Sequence, residues 1–231
     1  MSGRPEVLFP LFGALTKLDG IGPKSAQALE SAGVGKPLDL LMALPLSGVD
    51  RHRRASIREV VAPSVATVEV TVGEHHPPRT RGRPYRVHVE DAQASFQLVF
   101  FHAKGDYLQR LLPTGQKRIV SGKVEIFDGI AQIVHPDHVL PVTEADDIPA
   151  FEPVYPLHAG ITQKAMWKAT RSALSLMPEL PEWIDPPLKT HEKWPDWATA
   201  MRLVHNPQAT SDLSPHAPAR ERLAYDELLA H

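Results

Sequence analysis

Between about residue 64 and residue 140 the apolar residues of this chain recur every second position, whereas on either side they recur at helical spacing. Val65, Val68, Val70 and Val72 mark a first strand. Residues 75–84 then hold three prolines and a glycine, which reads as a loop. Tyr85, Val87 and Val89 alternate in a second strand, and Phe96, Leu98, Val99, Phe100 and Phe101 make a third. Asp106 to Leu112 reads as a short helix ended by Pro113 and Gly115. Ile119, Val120, Val124, Ile126 and Phe127 form a fourth strand, and Asp128-Gly129 is a hairpin turn. Ile130, Gln132 and Val134 begin a fifth strand.

Five strands with a helix between the third and fourth is the order of the OB-fold, a small Greek-key barrel often used for single-stranded nucleic acid. The expected fold class is therefore mixed α and β. A helical unit occupies residues 1–55, a five-stranded OB-fold barrel residues 56–142, and a helical linker residues 143–231. Residues 6–44 read helical, with Pro45 stopping the stretch from Leu38 to Leu44, and residues 45–54 read as a loop. Past residue 140 the β signal ends. An amphipathic helix is expected over 161–176 and a further helix over 197–204, with a proline-rich connector at 178–195, a polar linker at 206–218 and a last helix from Ala219.

The chain has 231 residues, enough for a substantial core, and no cysteine, so disulfides and thiolate chemistry are excluded. No apolar run approaches the roughly 18 residues of a membrane span. The N-terminus lacks a signal-peptide core, and a cytoplasmic, monomeric protein is expected. Net charge is −2, but residues 51–88 carry eight arginines against three acids. Residues 144–152 run the other way, with Glu144, Asp146, Asp147 and Glu152. A basic patch on a nearly neutral chain is how a nucleic-acid face often appears, although a solvated loop would look the same.

Gly20-Ile21-Gly22-Pro23-Lys24 lies between two stretches read as helices. Its glycines permit a tight turn and close backbone approach to a ligand. Pro23 suits the first turn of the following helix, whose free N–H groups and positive dipole end suit a phosphate. The pattern resembles a helix-hairpin-helix, which grips nucleic-acid backbone without reading sequence. The competing reading is a brace that merely packs against the barrel.

Several longer stretches occur together: residues 18–24, 39–45, 98–101, 121–125, 133–136, 153–157 and 223–231. With the hairpin unit and the barrel in this order, the chain resembles the N-terminal wedge region of RecG, a family of bacterial ATP-dependent helicases that remodel stalled forks and Holliday junctions. The resemblance implies that the chain binds a branch point and splits strands while a motor, which needs ATP and Mg, translocates on duplex. No G-x-x-x-x-G-K-S/T nucleotide loop occurs in these residues. The chain is therefore expected to be a wedge fragment without its own ATPase activity, cofactor or catalytic residues. Where relatives commonly carry Asn after the Phe-Phe pair, this chain carries His102.

A wedge must hold backbones by charge and replace the base stacking lost at an opened pair. Aromatic platforms supply about 1–3 kcal/mol per stacked base, against about 1.4 kcal/mol for a DNA step. Alternation puts Phe100 and Phe101 on opposite faces, so Phe101 is assigned to the DNA and Phe100 to the core. Tyr107 is a second aromatic candidate, or else a helix residue capping the barrel. Arg79, Arg81, Arg83 and Arg86 are candidate phosphate contacts, with Lys104 and Lys123 as weaker ones. Lys24, with the backbone of Gly20 and Gly22, is a candidate contact to a duplex arm. Arg51, Arg53 and Arg54 are left outside the site, as a solvated loop or as clamps on carboxylates. His135 and His138 are three apart, and His75-His76 are adjacent, but neither pair has a third ligand at metal-binding spacing. The alternative function is an OB-fold protein-interaction module that takes an acidic tail, such as that of single-strand-binding protein, on the same basic loop.

Overall fold

The computed structural model describes residues 5–80, 82–157 and 160–230. The elements in chain order are α1 (Pro23–Ser31), α2 (Pro37–Met42), β1 (Ser47–Asp50), β2 (Arg53–Arg54), β3 (Ser64–His76), β4 (Tyr85–Glu90) and β5 (Ser95–Phe100). They continue with α3 (Gly105–Leu111), β6 (Lys117–Phe127), β7 (Ile130–Val134), β8 (His138–Pro141) and β9 (Phe151–Val154). The chain ends with α4 (Gln163–Ser175), α5 (Pro186–Glu192), α6 (Trp197–His205) and α7 (Pro218–Ala230). Asp50–Glu152 forms one compact unit, and the described residues of Met1–Val49 and Pro153–His231 form another. The two helical ends of the sequence, 1–55 and 143–231, thus do not stand as separate segments, because most of each contributes to one shared core. No described helix is long and apolar enough to cross a membrane.

In the unit Asp50–Glu152 the sheet order is β2-β3-β4-β5-β7-β6-β8, and β3 also pairs with β6. That extra pairing closes β3, β4, β5, β7 and β6 into a barrel. The β4–β5 and β6–β7 pairs are antiparallel and β5–β7 is parallel, which is the OB-fold connectivity. A register shift between Val72 and His75 bends β3. Ser64–Thr71 pairs with β6, and the strand from Thr71 to His76 turns onto β4. Val68, Val70, Val72, Val87, Val89, Phe96, Leu98, Val120 and Ile133 fill the interior, joined by Leu108 and Leu112. Gly122 on β6 permits a contact that no other residue would. A Cβ there would lie 2.6 Å from Ile133 Cγ2 and 3.1 Å from the Cα of Pro136.

In the helical unit, Leu11, Leu15, Leu18, Ile21, Leu29, Leu40 and Leu41 pack with Met166, Ala169 and Ala173 of α4 and Met201 and Val204 of α6. The stretches Glu6–Phe12 and Leu15–Lys17 are 3₁₀ helix rather than the α-helix their spacing suggested. Pro10 inside the first removes an N–H that an α-helix would use. The expected loop at 45–54 contains β1 and β2, because their partners come from elsewhere in the chain: β9 for β1 and β3 for β2. For the same reason β9 lies beyond the point where the local β pattern fades.

Arg222 of α7 is fully buried. Its guanidinium donates to both carboxylate oxygens of Glu182 (2.9 and 3.0 Å), to Asp226 (2.9 Å) and to the carbonyl of Pro195 (2.9 Å), and Trp183 lies over it at 5.1 Å. Trp194 packs on Tyr225 at 5.0 Å. The tryptophans of the proline-rich stretch therefore anchor α7 by packing. Burial opposes ionisation of Glu182, yet hydrogen bonds from Arg222 and Lys189 bring its pKa down to about 2. His205 is buried between the Tyr155 hydroxyl (3.1 Å) and the carbonyl of Leu41 (2.9 Å). Its Nε2–H donates to that carbonyl and its Nδ1 accepts from the tyrosine. Burial disfavours the imidazolium and lowers the pKa to about 4.

Two outcomes follow from these contacts. Gly122→Ala should destabilise the barrel by about 1–3 kcal/mol through overpacking, measured as a lower Tm by circular dichroism. His205 supports the fold fully above its unfolded pKa of 6.5 and progressively less as pH falls toward about 4, where the unfolded chain binds a proton the folded chain refuses. Chemical denaturation across that window should show a loss of roughly 3 kcal/mol. His205→Gln should flatten the loss, while the contribution of Glu182 begins to fall only below pH 4.5.

Candidate nucleic-acid interface

β5 ends in Phe100, which is 7% exposed and belongs to the barrel core, and the next residue, Phe101, is 42% exposed. The alternation of the strand therefore turns one ring inward and leaves the other in solvent. The Phe101 N–H donates to His135 Nε2 at 3.1 Å, so the proton of that imidazole sits on Nδ1. The His135 ring lies 5.9 Å from the ring of Phe101 and 6.1 Å from that of Phe100. His102 follows at φ 59°, in the left-handed region that Asn, Asp and His enter more readily than other non-glycine residues. An Asn or a His at this position is thus accounted for by the turn of the backbone, without any hydrogen bond from its side chain.

Facing this strand end is the β3–β4 loop. Pro78, Thr80, Gly82 and Arg83 of the loop, with Tyr85, Phe100, Phe101, His102 and Ala103, line a pocket of about 220 Å³. Its base is braced. The Tyr85 hydroxyl donates to His75 Nδ1 at 3.0 Å, and His75 Nε2–H donates to the carbonyl of Leu112 at 2.7 Å. An exposed aromatic ring and an arginine thus border one concave surface. This suits stacking of an unpaired base beside a phosphate contact.

The other expected site residues fall in several places. Arg79 is exposed in the same loop, and Arg81 lies outside the described residues. Arg86 is half-buried on β4, opposite Val99. Lys104 is exposed at the N-cap of α3, three residues past Phe101, and Tyr107, in the first turn of that helix, is 54% exposed. Lys123 sits in the middle of β6, ion-paired with Glu125 at 3.0 Å, and does not line the pocket. Gly20, Gly22 and Lys24 belong to the helical unit. Gly20 has φ 81°, and a Cβ there would meet Lys168 Cβ of α4 at 3.2 Å. The hairpin is therefore fastened to α4, and the Asp19 N–H donates to Ser172 Oγ at 3.2 Å. Gly22, the N-cap of α1, has open space around it, and Lys24 is exposed.

A family model described as the RecG wedge domain matches residues 16–177. The chain belongs to the RecG wedge domain family. It is 28% identical over 232 residues to the ATP-dependent DNA helicase RecG of Acidithiobacillus ferridurans, covering 94% of this chain and 31% of the relative. It is 27% identical over 227 residues to that of Escherichia coli K12, with 94% and 32% covered. A solved structure of RecG bound to a three-way DNA junction superposes with a TM-score of 0.79 at 25% identity, over all of this chain and 31% of that one. The chain thus spans about a third of the length of the RecG proteins it matches.

The supporting residues of the pocket do not stand out in the sequence. His75 and His135 attract attention there only as possible metal ligands, and Tyr85 only as a strand residue. One signal is present for His135, which lies in the matched stretch Ile133-Val134-His135-Pro136. His135→Ala removes the acceptor of the Phe101 N–H and one face of its ring packing. Hydrogen exchange at the Phe101 amide should then accelerate at least about tenfold, as expected for loss of about 1.4 kcal/mol of local protection. Far-UV circular dichroism should be unchanged.

Proposed function

We propose that this chain binds branched DNA, replication forks and Holliday junctions among them, and separates strands as the wedge of a RecG-type helicase. The observation that supports this most is the placement of Phe101. It is an exposed ring at the end of a barrel strand, with its backbone pinned by His135 and an arginine-bearing loop across the same pocket. A ring held this way is positioned to stack on a base at the opened pair, replacing the stacking that opening removes. Arg83 and Arg79 contact the phosphates flanking that base, and Arg81, Arg86 and Lys104 add charge along the same run of chain. Tyr107 is the second stacking platform. Lys123 contributes least, because Glu125 already pairs with it. Lys24, with the backbone at Gly20 and Gly22, holds a duplex arm. The RecG of known structure that this chain resembles is bound to a three-way DNA junction, which agrees with this reading. ATP hydrolysis and its Mg are assigned to the motor of the parent helicase, since these 231 residues contain no nucleotide loop.

Fluorescence anisotropy against a fork, a four-way junction, a duplex and a single strand, each at two salt concentrations, tests the proposal. Branched substrates should bind most tightly. Phe101→Ala should weaken them by about tenfold or more without changing the salt dependence. Arg79→Ala combined with Arg83→Ala should lower the salt slope by about 0.9 for each phosphate left without its arginine. Equal affinity for all four substrates would defeat the proposal.

A further inference from the structure

Beside the hairpin, the helical unit carries three further cations on α4 to which no role has been given. No acidic residue occurs between Glu152 and Glu179, while α4 within that span holds Lys164, Lys168 and Arg171. The spacing of four and three residues puts all three on one face of the helix, and all three are exposed. The opposite face buries Met166, Ala169 and Ala173. Among the described residues, none of the three pairs with a carboxylate. A solvated helix face ordinarily mixes both signs of charge; this one presents a single sign.

Two of the three cations are also held in place. The Lys168 stem packs on Gly20, with Cβ at 3.2 Å and Cδ at 3.5 Å from where a Cβ of residue 20 would stand. The Arg171 guanidinium lies over the Trp167 ring at 4.7 Å. Asp19, the acid of the hairpin, is tied to Ser172 through its N–H. The hairpin and α4 therefore form one surface, which Lys17 and Lys24, both exposed, extend on either side of Gly20.

We propose that this surface is a phosphate-binding ridge for double-stranded DNA, with Lys164, Lys168 and Arg171 contacting the backbone of one duplex arm. The inference rests on reading the chain as a nucleic-acid binder. At 1.5 Å of rise per residue the ridge spans about 10 Å, matching about three phosphates of one strand at 3.4 Å of axial rise each. Arg171 lies over Trp167, a ring that also packs against the core of the unit, so it is a poor stacking platform for a single strand. Contacts of this kind position a duplex without reading its sequence.

Binding of the 231-residue chain to a blunt 20-base-pair duplex, followed across salt concentration, tests the ridge. The combined variant Lys164→Gln, Lys168→Gln and Arg171→Gln keeps the packing stems and removes the charges. It should lose at least about tenfold in duplex affinity, with the salt slope falling by about 0.9 for each phosphate released. Arg202→Gln, on α6 of the same unit and already paired with Glu179, should leave duplex affinity unchanged. Ser175→Lys adds a cation one turn farther along the same exposed face and should tighten duplex binding and steepen the slope, which decides the matter if the triple variant does not fold. No duplex binding by the unmodified chain, or variants that leave affinity and slope unchanged, would overturn the ridge, whereas fork selectivity lost with Phe101→Ala would still uphold the wedge. A poly-glutamate peptide that binds as tightly as the duplex and depends on the same three cations would overturn it in favour of a protein partner.

Discussion

The barrel depends on β3 hydrogen-bonding to two neighbours at once. Its first half pairs with β6 and its second half with β4, with the register shift between Val72 and His75 supplying the bend. Without that bend the sheet would stay open and would expose the valines of β3. Closure also fixes the rim. β5 is paired on both sides, by β4 and β7, so the point where it ends is set by its neighbours. Phe101 emerges there because pairing stops at Phe100. The β3–β4 loop is held over the same rim by the hydrogen bonds from Tyr85 to His75 and from His75 to the carbonyl of Leu112.

Each unit is further tied by a buried arginine. Arg51, 6% exposed, donates to Ser121 at 2.9 Å and Asp137 at 3.0 Å and pairs with Glu152, while Ser121 Oγ lies 2.7 Å from Thr67 Oγ1. It joins the residues by which the chain enters and leaves the barrel unit to β6 and β3. Burial alone would raise the pKa of Glu152, but the hydrogen bond from His138 and the Arg51 charge hold it below the usual carboxylate range. Arg222 has the same part in the helical unit, binding α7 to Glu182 and the carbonyl of Pro195. A buried ion pair adds little net stability compared with apolar packing, but breaking one leaves a stranded charge. These residues therefore define where segments join more than they add to the core.

The candidate site divides in the same way. Phe101 and Arg83, which line one pocket, could both be singled out from local patterns, a strand ending in two aromatics and a proline-broken loop. The roles of His135 and Tyr85 were not, because the contacts that give them meaning join residues 34 apart and 10 apart in the sequence. Gly20 shows the same limit. Its left-handed backbone is a local property, but its fastening to α4 comes from a helix nearly 150 residues downstream. Lys123 shows it in the opposite sense, since only the folded strand places Glu125 within reach of its ammonium.

By itself the sequence determined the period of the strands, the helix between the third and fourth, the hairpin at Asp128-Gly129 and the absence of a nucleotide loop. These depend on steric preferences and spacing along neighbouring residues, so any segment of that composition carries them. Tertiary structure alone decided that β1 and β9 pair, that the two ends of the chain share one core, and that Lys168 lies beside the hairpin. Those outcomes follow from burying apolar faces contributed by segments more than one hundred residues apart. The choice among such partners is made by packing and pairing in the folded chain.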